Sequence, residues 1–348
     1  MAPMIRYTTT TDGVSIAFTT LGEGVPVVFM PPVPFSHLEA MWGAPGIEAW
    51  FARLAHGAQV AVYDARGTGL SDRAAVNFSI DAMIADLDAV VGRLGWDEFV
   101  LCGFFNASAP AIAYAARHPE RVSDLVLWGG FARGSEIYPL PMAADPAAAT
   151  AHWPMLVDTA ARTWTAGSGD EARRTAEYFR ACVEPFTAVC AFVAAREYDV
   201  REILGDVRAR TLVIQRRDAP SQRLDVARGL AAAIPEAQLQ VLAGESASPF
   251  SGDIEAGVRA VEAFLGIEEA AVAPMTSTAT ATAIGEALTA REAEVLALVA
   301  RGRANKEIAA ALGLSVHTIE RHLTNLYPKI GCRSRTEAAA FALTHGYA

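Results

Sequence analysis

Apolar residues along the first three quarters of the chain fall into short unbroken runs, with spaced stripes between them. The runs at 27–30, 59–64, 99–102, 124–128 and 211–215, with a further segment at 238–242, have strand length. Their density predicts strands buried on both faces of a mostly parallel sheet. Two alternating segments, 5–10 and 14–20, flank Asp12-Gly13 and predict a hairpin. Ile80, Met83, Ile84, Leu87, Val90, Val91 and Leu94 recur at helical spacing, and further helices are expected at about 109–117, 225–234 and 254–265. Strand and helix in alternation predict βαβ units, hence an α/β domain with helices covering a parallel sheet.

The pattern changes twice. From 134 to about 200, Pro139, Pro141, Pro146 and Pro154 interrupt the chain before alanine- and aromatic-rich helical segments. From 267 to 286, Ala, Thr and Ser dominate with no apolar period, which reads as a linker. Beyond it lie four short helical stretches. Thr289 and Glu292 have the spacing of a capping box, Gly302 stops the first helix, 305–312 forms a second ended by Gly313, and Ser315 caps a third. A fourth spans 335–343. The chain is thus read as 1–266, with an insertion at about 134–200, a linker at 267–286, and a small all-α domain at 287–348.

Composition refines this picture modestly. The chain has 348 residues, is 52% hydrophobic and carries a formal charge of −10. From Glu286 onward eight Arg/Lys face six Asp/Glu, so the body holds about −12 and the tail +2. That asymmetry fits an acidic body with a nucleic-acid-binding tail. Four cysteines have neither paired nor metal-ligand spacing, so no metal or cofactor is expected. No charged-then-apolar opening segment and no run of 18 apolar residues is present, so a cytoplasmic protein without a membrane span is expected.

Two family resemblances emerge from particular stretches. Leu101-Cys102-Gly103-Phe104-Phe105-Asn106-Ala107-Ser108 lies between a strand and a helix and resembles the nucleophile elbow of the α/β-hydrolases. Asp64-Ala65-Arg66-Gly67-Thr68-Gly69-Leu70-Ser71-Asp72 resembles the D-x-R-G-x-G-x-S-D turn of the same family. In the tail, Leu288-Thr289-Ala290-Arg291-Glu292-Ala293-Glu294-Val295-Leu296, Asn305-Lys306-Glu307-Ile308-Ala309 and Ser315 to Asn325 resemble the LuxR-type helix-turn-helix.

The hydrolase resemblance covers 5–266 and makes the insertion at 134–200 a cap over the active site. It puts the nucleophile at Phe105, the acid at Ala219, the histidine at Ala247 and one oxyanion donor near Pro34, which has no N–H. None can serve, so no catalysis is expected. Asp218 stands one residue early for the acid. Ser108 and Cys102 are the remaining nucleophiles, each in need of a base from His37 or His152. With the triad gone, the site becomes a pocket for a small hydrophobic or aromatic effector, lined by Phe35, His37, Trp42, Phe104, Phe105, Asn106, Trp128, Phe131, Trp153 and Trp164. Phe179, Phe186, Phe192 and Tyr198 lie in the cap region, and Gln215 is expected to help orient the ligand.

The LuxR resemblance implies a groove helix starting at Ser315. DNA contacts are then expected from Asn305, Lys306, Ser315, Val316, His317, Thr318, Glu320, Arg321, Asn325 and Lys329, with His322, Arg333 and Arg335 as further phosphate donors. Ile308, Ala309, Leu312, Leu314, Ile319 and Leu323 are core by spacing. Ala338, Ala339, Phe341 and Ala342 form either a dimer face or packing within the motif. The implied partners are palindromic promoter DNA, a second copy of the chain and RNA polymerase. The resulting expectation is a ligand-responsive transcription regulator. Its competitors are an ester or amide hydrolase with a regulatory tail, and a partner-binding module without a small ligand.

Overall fold

The structure, a computed structural model, describes residues 4–43, 45–138, 150–167, 169–220, 222–267, 290–301, 303–316, 318–319, 322–323, 326, 335, 338 and 341–342. Apart from Ile267, the expected linker lies outside the described residues. The chain divides into two compact units, 1–270 and 271–348.

The first unit opens with β1, Arg6–Thr9, and β2, Ser15–Leu21, an antiparallel hairpin that sets Arg6 opposite Phe18. β3, Val25–Met30, leads to the short α1, Leu38–Met41, then α2, Pro45–Leu54, and β4, Ala58–Tyr63. α3, Ile80–Leu94, precedes β5, Phe99–Phe104, α4, Ser108–Arg117, and β6, Val122–Trp128. The helices α5, Trp153–Thr165, α6, Asp170–Cys182, and α7, Pro185–Glu197, occupy the expected cap. β7, Arg210–Arg216, α8, Leu224–Ala233, β8, Gln238–Leu242, and α9, Ile254–Leu265, complete the unit. The strands form one sheet in the order β1-β2-β4-β3-β5-β6-β7-β8, with parallel pairing throughout β3 to β8.

Strand parity divides the core into two layers. Val28, Met30, Tyr63, Leu101, Leu127 and Val213 pack against α3, α4 and α8. Phe29, Val62, Cys102, Phe104, Trp128 and Ile214 pack against α2 and α9. Both faces are covered, which is why the sequence shows unbroken apolar runs rather than alternation. Helix ends follow capping chemistry. Ser79 accepts from Ala82 N–H at the start of α3, and Asp253 accepts from Ala256 N–H at the start of α9.

The Asp64–Asp72 turn is tied internally. Ser71 Oγ donates to Asp64 O at 2.6 Å and accepts from Ala17 N–H. Arg66 donates to Asp86 and Asp12, and burial of that guanidinium is offset by both carboxylates. The Asp64 carboxylate accepts the Leu38 and Leu70 amides on Oδ2, whereas its buried Oδ1 has no partner among the described residues.

In the second unit α10, Ala290–Ala300, and α11, Asn305–Leu312, are joined by helical residues 316, 318–319, 322–323 and 326 and, further on, 335, 338 and 341–342. Val295, Leu296, Val299, Ile308, Ile319, Leu323 and Leu326 form its core.

Candidate functional site

β5 ends in a turn whose apex is Phe105. Its φ of 53° puts a bulky side chain in left-handed backbone, a conformation that is strained for any residue but glycine. Two features hold the turn. Gly103 lets α4 approach β5, since a Cβ there would lie 2.7 Å from Ala111 Cβ and 2.9 Å from Ala107 O. Asn106 clamps the loop after β3, its Oδ1 accepting Val33 N–H at 3.0 Å and its Nδ2 donating to Val33 O at 2.5 Å. The Phe105 ring is aimed out of the turn and lies on Trp164 of α5, with centroids 4.7 Å apart and planes tilted by 32°.

Above the turn lies a cavity of about 390 Å³. Pro32, Val33, Phe105, Asn106 and Gly129 lie at the strand ends, and Trp153, Leu156, Val157, Ala160 and Trp164 come from α5. Phe35, Phe131, Ile137, Tyr138, Phe192 and Gln222 complete the walls, with Thr159 and Thr163 also on α5. No described lining residue is Asp, Glu, His, Lys, Arg or Cys. Burial pushes the Tyr138 phenol well above its ordinary value, so it stays neutral.

The roof is fastened to the sheet. Trp164 O accepts from Ser246 Oγ at 2.7 Å and from Ser248 N–H at 3.1 Å, in the loop after β8. Gly69 N–H donates to Cys182 O at the end of α6.

In the second unit, Ser315 Oγ accepts Thr318 N–H at 3.1 Å and starts the next helical segment. Gly313, with φ 66°, ends α11. Val316, Lys306 and Ser315 are exposed. This is a buried apolar wedge between short helices, with an exposed edge at the start of the segment expected to enter a groove.

Residues 286–342 match the family described as bacterial regulatory proteins, luxR family, and residues 41–181 match the alpha/beta hydrolase fold family. The response regulator Rre1 of Synechocystis sp. is 52% identical over 58 residues, 17% of this chain and 25% of its own length. The transcriptional regulatory protein LiaR of Bacillus subtilis is 44% identical over 57 residues, 16% of this chain and 27% of its own. This chain joins an α/β-hydrolase-fold domain to a LuxR-family domain. It spans about a quarter of the length of those two curated relatives. The hydrolase-fold domain is similar to a solved esterase from Exiguobacterium antarcticum, with TM-score 0.65 and 20% identity over 76% of this chain and 100% of that one. It is also similar to the enol-lactonase from Burkholderia xenovorans LB400, with TM-score 0.64 and 21% identity over 75% and 100%. Identities this low speak to fold alone.

Within the hydrolase-fold domain, Phe35, Phe105, Asn106, Phe131, Trp153 and Trp164 line the cavity as expected from the sequence. Four expected residues do not. Phe104 and Trp128 have the parity of Cys102 and Val126 and so point beneath the sheet, where both meet Trp50. Trp128 Nε1 also donates to Ala247 O at 2.9 Å. Trp42 packs on Phe51, outside the cavity wall. His37 is occupied as the cap of α1, its Nδ1 accepting from Ala40 N–H, and burial holds its imidazole below the ordinary range. It borders a smaller neighbouring cavity of about 50 Å³ with Asp64 and Tyr178.

Gln215 is buried behind the wall, where Nε2 donates to Arg216 O and Gln222 O. Tyr138 and Gln222 were not singled out by sequence reasoning. Phe179 of the cap stacks on Phe35 of the loop after β3, Tyr198 donates to Phe78 O, and Phe186 is exposed.

Ala219 and Ala247 are buried. Asp218 is exposed, and its N–H donates to Gly244 O. Ser108 Oγ donates to Phe105 O at 2.5 Å and accepts from Phe131 N–H, which ties the turn to the loop after β6. Burial pushes the Cys102 thiol far up. Neither is poised as a nucleophile in this arrangement. His152 is exposed and is not among the described lining residues.

In the LuxR-family domain, Asn305, Lys306, Ser315, Val316 and Thr318 lie on described segments, whereas His317, Glu320, Arg321, Asn325 and Lys329 lie outside the described residues. Thr289, of the expected capping box, also lies outside them. Asn305 Oδ1 accepts from Arg335 Nη1 at 2.8 Å, and Arg335 also donates to Arg303 O. Arg335, expected as a phosphate donor, is thus committed to joining two segments of the domain. Ala338 and Ala342 are fully buried in the domain's own core, which decides their role as internal packing rather than a dimer face.

Proposed function

We propose that this protein is a ligand-responsive transcription regulator. The LuxR-family domain binds promoter DNA as a homodimer, and the hydrolase-fold domain holds a small hydrophobic or aromatic effector without chemical turnover. The supporting observation is the cavity over Phe105, lined by aromatic rings and roofed by a fastened cap, at the place where this fold carries out chemistry. Its volume lies within the ordinary range for ligand sites. RNA polymerase is the partner through which promoter occupancy acts. The effector regulates only if it favours one arrangement of the chain over another, so its differential affinity sets the response.

The test uses the full chain and labelled DNA from upstream of its own gene. DNA affinity is expected to fall steeply with salt, as phosphate contacts require, and to fall further in Lys306→Ala. A compound that binds the cavity is expected to change DNA affinity by about tenfold, a shift typical of coupled sites. Cavity ligands that leave DNA affinity untouched defeat the sensor reading. Turnover of p-nitrophenyl esters by the purified chain, lost in Ser108→Ala, replaces it with the hydrolase reading.

A further inference from the structure

The cavity's polar groups define what its occupant must offer. Asn106 uses Oδ1 and one Nδ2 hydrogen on the Val33 backbone. The Tyr138 hydroxyl stands on the same cavity wall, and no acceptor for its proton is found among the described residues.

Gln222 is oriented by a similar argument. Gln215 Nε2 is fixed as a nitrogen because it faces two backbone carbonyls, Arg216 O at 2.9 Å and Gln222 O at 3.1 Å. The Gln222 side-chain atom 3.5 Å from it is Oε1, which turns the Gln222 amide nitrogen away from Gln215. Both Tyr138 and Gln222 line the cavity. Thr159 and Thr163, by contrast, spend their hydroxyl protons on Met155 O and Thr159 O of their own helix.

Among the described residues, the wall thus presents unspent donors on Tyr138 and Gln222 and no cation. A donor left without a partner in an apolar site is a penalty that an acceptor on the ligand removes. A carboxylate satisfies the donors but enters an apolar cavity without a counter-charge. We propose that the effector site selects uncharged ring compounds bearing a carbonyl acceptor, a ketone or lactone, which Tyr138 and Gln222 receive. This deepens the reading of the cavity as an effector site and rests on it.

The experiment is calorimetric titration of the full chain with three matched probes: 1-tetralone, tetralin and tetralin-1-carboxylate. The ketone is expected to bind about tenfold tighter than tetralin and at least tenfold tighter than the carboxylate. Tyr138→Phe and Gln222→Met are each expected to shrink the ketone preference while leaving tetralin affinity within about threefold, since neither removes much apolar surface. Retained tetralin binding certifies that a variant is folded, and if one variant loses it the other decides. Equal binding of ketone and tetralin, a preference that survives both variants, or tightest binding of the carboxylate overturns the proposal while the cavity remains a ligand site. Failure of all three probes to bind overturns the effector-site reading itself.

Discussion

Phe105 and Asp64 show how single residues depart from local preference. A non-glycine residue in the left-handed region costs about 1–2 kcal/mol, here offset by the Trp164 stack and the cavity wall. Phe105→Ser is expected to give no esterase activity in a p-nitrophenyl acetate assay, since the resemblance to the α/β-hydrolases puts Ala219 and Ala247 where its partners would be. Phe105→Ala is expected to lower stability by roughly 1–3 kcal/mol in chemical denaturation, less than for a Phe packed on every side, because one face borders a cavity. It is also expected to weaken effector binding. Asp64 tests a different force. Burial raises its carboxyl to about 7 from the ordinary 3.8, so between those values the folded chain holds a proton that the unfolded chain has released. Its contribution to stability therefore falls as pH rises through that window and levels off above it, a loss of about 4 kcal/mol in the limit. Asp64→Asn keeps an acceptor for the Leu38 and Leu70 amides but cannot ionise. Denaturation midpoints measured from pH 4 to 8 are expected to fall less for this variant than for the parent chain.

At the scale of elements, the meeting of β5 and α4 decides the site. Gly103→Ala would push a methyl group against Ala111 and Ala107 O, and because backbone lies on one side it cannot be absorbed by a rotamer change. A loss of about 1–3 kcal/mol in thermal or chemical denaturation is expected, with the Phe105 turn displaced. The same junction shows what could be read from the chain beforehand. The parallel strands were legible because burial on both faces leaves long apolar runs, and α9 at 254–265 matched residue for residue because Asp253 and Gly266 punctuate it. The five aromatics and one amide that the sequence suggests and the cavity wall contains lie on loops and cap, where the fold leaves one open side. Phe104 and Phe105 differ by one position, yet one points beneath the sheet and the other into the cavity. That parity depends on where β5 ends, which apolar pattern alone does not mark. Tyr138 and Gln222 were illegible because a single polar residue in a loop has no period, and only the closed fold brings them beside Asn106 and Gln215. In the tail, Ile308, Ile319 and Leu323 were readable as core from spacing, whereas the tie from Arg335 to Asn305 joins residues far apart in sequence.

The whole molecule is two units with separate cores. No described helix is long and apolar enough to cross a membrane. A fragment of residues 1–267 is expected to melt cooperatively and to retain the probe affinities of the full chain, and one of residues 286–348 to bind DNA with a salt dependence like that of the full chain, both checked by calorimetry and titration. Loss of cooperative melting in the first fragment would show that its core is incomplete without the tail. Within the first unit, Trp164 belongs to two neighbourhoods at once. Its indole borders the cavity, while its carbonyl is gripped by Ser246 and by the Ser248 amide, neither of which touches the space a ligand would fill. The side chain and the carbonyl share one Cα, so an occupant that shifts or stills the ring also loosens or tightens that remote amide. Deuterium uptake at Ser248 is then a gauge of occupancy placed outside the cavity, and its rate is expected to slow when 1-tetralone is bound and to be unresponsive to the ligand in Trp164→Ala.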